Sequence, residues 1–314
     1  MRILYFGTSS FALPTLKALV EQQHDVVAVV TQPDRPAGRG GKLTPPPVKE
    51  LALQLGLPVL QPESCRTPEF LEIARGYAPE LSVVAAYGQF LPDPLRLLPR
   101  WGTVNLHGSL LPKFRGAAPI QRAILTGEAK TGVCLMWMAR EMDAGDVIDC
   151  RETQILPDDN YGLLSERLAH MAAELLLAWL PSIAADSAPH LPQDTSAVTL
   201  APMLRKEERE IDWSRSAEEI WWQIRAFAPT PGAVTVLHGQ PIKVLQALPL
   251  SSMSTGAPGI LVATESKSGL IVATGNGTLR LLSVQPAGKR AMSDVEFLRG
   301  AHVAAGDRFG TEEP

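Results

Sequence analysis

Short apolar runs alternate with amphipathic segments through the first half of the chain. Arg2 to Phe6, Val26 to Thr31, Leu81 to Ala86 and Thr103 to His107 are rich in Val, Leu and Ile, as strands covered on both faces are. Between them, Phe11 to Glu21, Val48 to Leu55 and Pro68 to Gly76 repeat apolar residues at helical spacing, which predicts βαβ units. Further helices are expected over Pro119 to Leu125 and, as a long amphipathic element ending near Pro189, over Gly162 to Ile183. The economical reading is an α/β fold with a doubly wound parallel sheet.

Beyond Pro189 the periodicity weakens. Pro192-Gln193-Asp194-Thr195-Ser196 and the charged run Arg205 to Glu210 predict a linker. A helix over Ala217 to Phe227 follows. Short strand-like pieces then come at Ala233 to Leu237, Ile242 to Leu248, Gly259 to Thr264, Leu270 to Thr274 and Leu279 to Val284. Such spacing predicts a small antiparallel, OB-like barrel. The expected boundaries are 1–189 for the first domain, 190–208 for the linker and 209–314 for the second domain.

With 314 residues the chain exceeds the usual single core, which favours two domains. A hydrophobic fraction of 45% and a mean hydropathy of +0.04 fit globular folding. No uninterrupted apolar stretch has the roughly 18 residues that spanning a bilayer requires. The amino terminus enters a strand pattern without the apolar core of a signal peptide, so a cytoplasmic location is expected. Cys65, Cys134 and Cys150 are odd in number and lack CxxC spacing, and reduced, structural thiols are expected. A net charge of −4 argues against nonspecific coating of nucleic acid, yet a local patch can still bind phosphates. From Asp34 to Lys49 the cations Arg35, Arg39, Lys42 and Lys49 stand against Asp34 alone, among glycines and prolines. This reads as a mobile basic loop.

Asn105 and His107 occupy positions i and i+2 of a strand-like run, so they project together where the strand ends. The turn Gly108 to Pro112 follows at once, where open parallel sheets expose backbone groups to ligands. Asp143, in Met142-Asp143-Ala144-Gly145-Asp146, supplies a carboxylate. The trio suits acyl transfer: Asn105 and His107 stabilise an oxyanion while Asp143 orients the ring and relays a proton through water. Singly, each side chain has an ordinary role as a turn cap, interior histidine or loop opener, and their joint context carries the reading. His24, His170, His190, His238 and His302 lack metal-ligand spacing, so no metal is expected. Gly7 to Ala12 does not match GxGxxG, and no dinucleotide site is expected there.

The runs Asn105-Leu106-His107-Gly108-Ser109-Leu110-Leu111-Pro112, Lys113 to Ala123 and Met142 to Asp146 resemble the folate-dependent formyltransferases. The closer likeness, carried by Thr31 to Gly40, Val84 to Gly88, Ile211-Asp212-Trp213-Ser214 and Gln285 to Lys289, is to the tRNA-directed branch of that family. The resemblance implies a Rossmann-like domain joined to an OB-like one. It implies formyl transfer from 10-formyltetrahydrofolate to the α-amino group of methionyl initiator tRNA, without a metal. By the same likeness Ser109, Leu110, Leu111 and Pro112 line the folate site, and Arg39 and Lys42 meet the tRNA acceptor stem, with Lys289 and Arg290 as weaker candidates. A monomer is expected. Two departures stand out: Gly7-Thr8-Ser9 where the family often has Gly-Thr-Pro, and Ala228-Pro229-Thr230-Pro231 where it often has Asn-Pro-Trp-Pro. An amino sugar nucleotide is the alternative acceptor, against which the basic Arg/Gly loop argues, and a folate- or RNA-binding protein without turnover is the reading from another class.

Overall fold

The apolar runs of the first half form strands β1 (Arg2–Gly7), β2 (Asp25–Val30), β5 (Val59–Leu60), β6 (Leu81–Ala85) and β7 (Thr103–His107), with a short antiparallel pair, β3 (Arg35–Ala37) and β4 (Lys42–Thr44), between β2 and β5. β8 (Lys130–Trp137) and β9 (Val147–Gln154) complete the larger sheet, whose order is β5-β2-β1-β6-β7-β8-β9. Neighbours are parallel as far as β7, and the last two strands run antiparallel. The direct hairpin from β8 to β9 makes that last pair antiparallel, because only antiparallel neighbours join without a crossover. The computed structural model describes residues 1–37, 41–250, 256–263 and 269–310.

Helices α1 (Leu13–Glu21), α2 (Pro47–Gln54), α3 (Pro68–Gly76) and α4 (Asp93–Arg96) connect the parallel strands. One core gathers Leu4 and Phe6 of β1, Ala28 and Val30 of β2, Phe70 and Ala74 of α3, and Tyr87. Its leucine, valine and phenylalanine side chains contribute roughly 1.5–3 kcal/mol each when fully buried. Tyr5 hides its hydroxyl too, donating to the carbonyl of Ala12 at 2.6 Å. Burial pushes that hydroxyl far above the ordinary tyrosine range.

Helix α5 spans Pro119–Leu125 and the long α6 spans Tyr161–Ala184. α6 stops before Pro189 because Asp186 turns left-handed at φ +54° and Ser187 N–H reaches back to the Ser182 carbonyl at 2.9 Å, closing the helix end. One compact unit comprises Met1–Pro119, Lys130–Gln154 and Ser165–Pro202; the other comprises Ile120–Ala129, Ile155–Leu164 and Met203–Pro314. Among the described residues no helix is long and apolar enough to cross a membrane.

Two expectations are corrected. Cys134 and Cys150 are not free thiols but a disulfide. They stand directly opposite each other on β8 and β9 with Cα atoms 4.1 Å apart, a cross-strand register that sequence spacing does not reveal. Cys65 alone stays free, buried against the Tyr87 hydroxyl at 3.0 Å. The basic segment is no structureless loop on either flank: Arg35, Pro36 and Ala37 pair with Thr44, Leu43 and Lys42. Residues 38–40 lie outside the described residues.

In the second unit helix α7 (Ala217–Phe227) buries Ala217, Ile220, Ile224 and Phe227, one face at i, i+3, i+7 and i+10 spacing. Arg225, on the same helix, donates to the carbonyls of Asp159 and Leu156. Strands β10 (Ala233–Leu237), β11 (Gln240–Leu250), β12 (Leu261–Ala263), β13 (Leu270–Ala273), β14 (Thr278–Pro286) and β15 (Met292–Ser293) form an antiparallel sheet ordered β10-β11-β14-β13-β12, with β15 on β14; helix α8 (Asp294–Gly300) follows. β11 and β14 run longer than their apolar centres, and Thr264, expected in the third strand, lies outside the described residues. Phe309 bridges Leu237 at the end of β10, and Arg308 bridges Ile260 before β12, so one terminal segment meets both outer strands.

α7 begins with a reciprocal cap: the Ser216 hydroxyl accepts the Glu219 amide while the Glu219 carboxylate accepts the Ser216 amide. The Ser216 hydroxyl and amide and the Arg215 guanidinium draw the Glu219 carboxyl from its ordinary value of 4.5 to about 2. A depressed carboxylate contributes its stability fully above its unfolded pKa and loses it as pH falls through the folded one. The side chain is 41% exposed, so solvent screening holds the loss in Glu219→Gln to about 0.5–1 kcal/mol at pH 7. That deficit shrinks steadily below pH 4.5, as denaturant melts of both proteins at pH 7 and pH 3 will register.

Candidate active site

β7 ends at His107, and the last residues of the strand set the site. Leu106 packs into the core at 2% exposure while Asn105 and His107 turn together to the opposite face. Asn105 is half-buried, and among the described residues its carboxamide has no hydrogen-bond partner. It is free to meet a ligand. His107 is buried with Nε2 2.9 Å from the Phe114 carbonyl oxygen. A carbonyl only accepts, so Nε2 carries a proton and donates it there. Nδ1 is therefore the nitrogen left for chemistry.

That Nδ1 faces Asp143 Oδ2 at 3.6 Å, too far for a direct hydrogen bond. Asp143 Oδ2 is fixed instead by the Gly116 amide at 2.8 Å. Phe114 and Asp143 both sit in the left-handed region, at φ +61° and +52°, which is uncommon for residues with a side chain. The surroundings enforce both conformations, since each costs of order 1–3 kcal/mol. Gly116 and Gly145 permit the packing: a Cβ on Gly116 would lie 2.6 Å from the Ala201 oxygen, and one on Gly145 1.8 Å from the Trp137 oxygen.

The structure thus brings Asn105, His107 and Asp143 to one place. In the turn that follows, the buried Ser109 hydroxyl donates to the Lys113 carbonyl at 2.7 Å, and the Leu111 amide reaches Cys134 Sγ at 3.3 Å. Ser109 closes the turn from inside, while Leu110, Leu111 and Pro112 remain half-buried beside it. Lys42 is exposed on β4. Arg39 lies outside the described residues. Lys49 is taken up by Asp34, 2.8 Å away, and Gln61 Nε2 donates to the same carboxylate at 2.7 Å. Gln61 first and Lys49 second hold the Asp34 carboxyl below its usual range.

Sequence reasoning missed the groups that hold the trio. Besides Phe114 and Gly116 these include Gln193, whose Nε2 donates to the carbonyls of Asp143 and Gly145 at 2.8 and 2.7 Å and whose Oε1 accepts Arg115 Nε and Nη2 at 3.0 and 2.8 Å. Fifty residues separate Gln193 from Asp143, and nothing in the local pattern marks it. A second polar cluster joins the ends of β1, β2 and β6. Thr8 Oγ1 donates to the Tyr87 carbonyl at 2.7 Å, Gln32 Nε2 reaches the same oxygen at 3.3 Å, and Gln61 Nε2 reaches the Gln32 carbonyl at 2.9 Å. Among the described residues no group of His, Cys, Asp and Glu is placed to hold a metal ion.

Known proteins resemble this chain over both of its halves. Residues 1–180 match the family model for formyl transferase, and residues 203–302 match that for the formyl transferase C-terminal domain. The chain belongs to the formyl transferase family. Methionyl-tRNA formyltransferase of Bacillus subtilis is 47% identical over 98% of this chain and 98% of its own length. Methionyl-tRNA formyltransferase of Methylococcus capsulatus is 48% identical over 99% of this chain and all of its own. Among solved structures, HypX of Aquifex aeolicus in complex with tetrahydrofolic acid aligns with a TM-score of 0.67 at 20% identity, over 96% of this chain and 48% of that one. At that identity the likeness is one of fold.

Gly145→Ala places a methyl group against a main-chain oxygen that cannot move aside. It is expected to cost about 1–3 kcal/mol or more of stability in denaturant melts, as overpacking of a filled site does.

Proposed function

We propose that this enzyme transfers the formyl group of 10-formyltetrahydrofolate to the α-amino group of methionyl initiator tRNA, giving N-formylmethionyl-tRNA for translation initiation. The observation that carries the mechanism is the buried His107, oriented by Phe114, with Nδ1 turned to Asp143 beside the unengaged amide of Asn105. The identity of the full-length relatives supports the acceptor.

An α-amino group has a pKa of about 7.7–8.0, so an appreciable fraction is neutral near pH 7 and needs positioning more than activation. Its nitrogen attacks the formyl carbon, and negative charge grows on the formyl oxygen. The Asn105 carboxamide donates to that oxyanion, and His107 joins it only through an N–H on Nδ1, which the ring carries as the imidazolium. The bond from the formyl carbon to folate N10 then breaks. One proton leaves the attacking amine and one is delivered to N10. Asp143, whose Oδ2 faces Nδ1 at 3.6 Å, relays it through water at the open side of the carboxylate. Leu110, Leu111 and Pro112, on the turn that Ser109 closes, line the folate site.

In this reading residues 1–189 carry the chemistry, 209–314 hold tRNA, and 190–208 lie between them. Arg39 and Lys42 meet the acceptor stem, Lys42 from the exposed edge of β4. The enzyme works as a cytoplasmic monomer, where charged tRNA and folate are both at hand. Thr230 gives the tRNA no aromatic surface for stacking.

Single-turnover rates of folded Asn105→Ala, His107→Ala and Asp143→Ala are expected to fall about 10²- to 10³-fold, as loss of an oxyanion donor does elsewhere. Near wild-type rates in all three remove the assignment. Arg39→Ala is expected to raise KM for charged tRNA, with a shallower salt dependence than the wild-type enzyme, while folate affinity stays put. An unchanged tRNA KM defeats the acceptor-stem role.

A further inference from the structure

The geometry points to Gln193 as the positioning residue that locks the two loops around His107 into one arrangement, an inference that rests on the catalytic reading above. His107 is held by groups from separate loops: the Phe114 carbonyl on Nε2 and the Asp143 carboxylate facing Nδ1. Gln193 touches both loops at once. Its two N–H donors are spent on the carbonyls of Asp143 and Gly145, and its single oxygen takes both donors from Arg115, next to Phe114. Both amide hydrogens and both lone pairs are thereby used.

The backbone around Gln193 is tied down independently, so the side chain is presented and not floating. Upstream, Leu191 and Val147 exchange main-chain hydrogen bonds at 2.8 and 3.0 Å. Downstream, the Arg115 amide donates to the Thr199 carbonyl at 2.9 Å and the Ala201 amide to the Arg115 carbonyl at 2.7 Å. The Phe114 amide donates to Thr199 Oγ1 at 2.9 Å. Residues 191–201 thus form a strap across the site's own unit. What Gln193 adds is register between loops: Asp143, in its left-handed conformation, has its own carbonyl and that of Gly145 in the same turn pinned.

Gln193→Met keeps the side-chain length and removes every polar contact. Misplacing a catalytic group by about 1 Å can cost 10²-fold, so a single-turnover rate roughly 10- to 100-fold lower is expected, with KM for folate and tRNA within about twofold. Because Gln193 acts through Asp143, the same change introduced into Asp143→Ala is expected to slow the reaction no further, as residues in one network are non-additive. Gln193→Glu, which keeps an acceptor for Arg115 but loses the donors to both carbonyls, is expected to show the same pattern and serves if the methionine variant does not fold. A folded Gln193 variant at wild-type rate overturns the proposal, as does a loss that adds in full to that of Asp143→Ala. If His107→Ala and Asp143→Ala themselves turn over at wild-type rates, the catalytic reading beneath it fails as well, and the two failures are told apart.

Discussion

The imidazole of His107 gives its Nε2 proton to the Phe114 carbonyl and keeps Nδ1 toward Asp143, and much of the first unit is arranged to hold that ring so. A buried histidine with one nitrogen spent on a main-chain acceptor has one tautomer, one orientation and one working nitrogen. The parallel sheet fixes where β7 ends. The antiparallel β8 covers its flank, with Cys134 in register with His107. The two loops that reach the ring are irregular and contain left-handed residues, so they depend on tertiary hydrogen bonds where a helix or strand would supply its own.

Local regularity decides how much of this is legible in the sequence. β7, α3, α5, α7 and β10 are readable to the residue because apolar spacing, a proline at a helix start or a capping serine marks their ends. Asn105 and His107 are readable as a pair because a strand's two-residue period is a local rule. That Asp143 approaches them is implied only by family likeness, since no local rule links positions 107 and 143. Gln193 is invisible at that level: it sits in a Pro-Gln-Asp-Thr-Ser stretch whose composition resembles any connector. The Cys134–Cys150 disulfide is hidden for a similar reason, as it follows from the register of β8 on β9.

Irregular chain and the fixed setting of the His107 ring are therefore coupled in this protein. Residues 190–202 contain no long element, yet they belong to the first unit and brace the two loops that meet His107. Regular elements bring Asn105 and His107 to the site, while the strap and the glycines at 116 and 145 set the loop that carries the carboxylate.

The terminal segment of the second unit has a colloidal consequence. An open antiparallel sheet ends in two ladders of unsatisfied amides and carbonyls, each a template for another chain. Here Phe309 meets Leu237 on one border, while Arg308 meets Ile260 and the Leu261 amide donates to Asp307 on the other. One short stretch of polypeptide thus occupies hydrogen-bonding positions on both borders, doing by a clasp what full closure does for a barrel. Copies of this sheet are thereby denied both borders as templates.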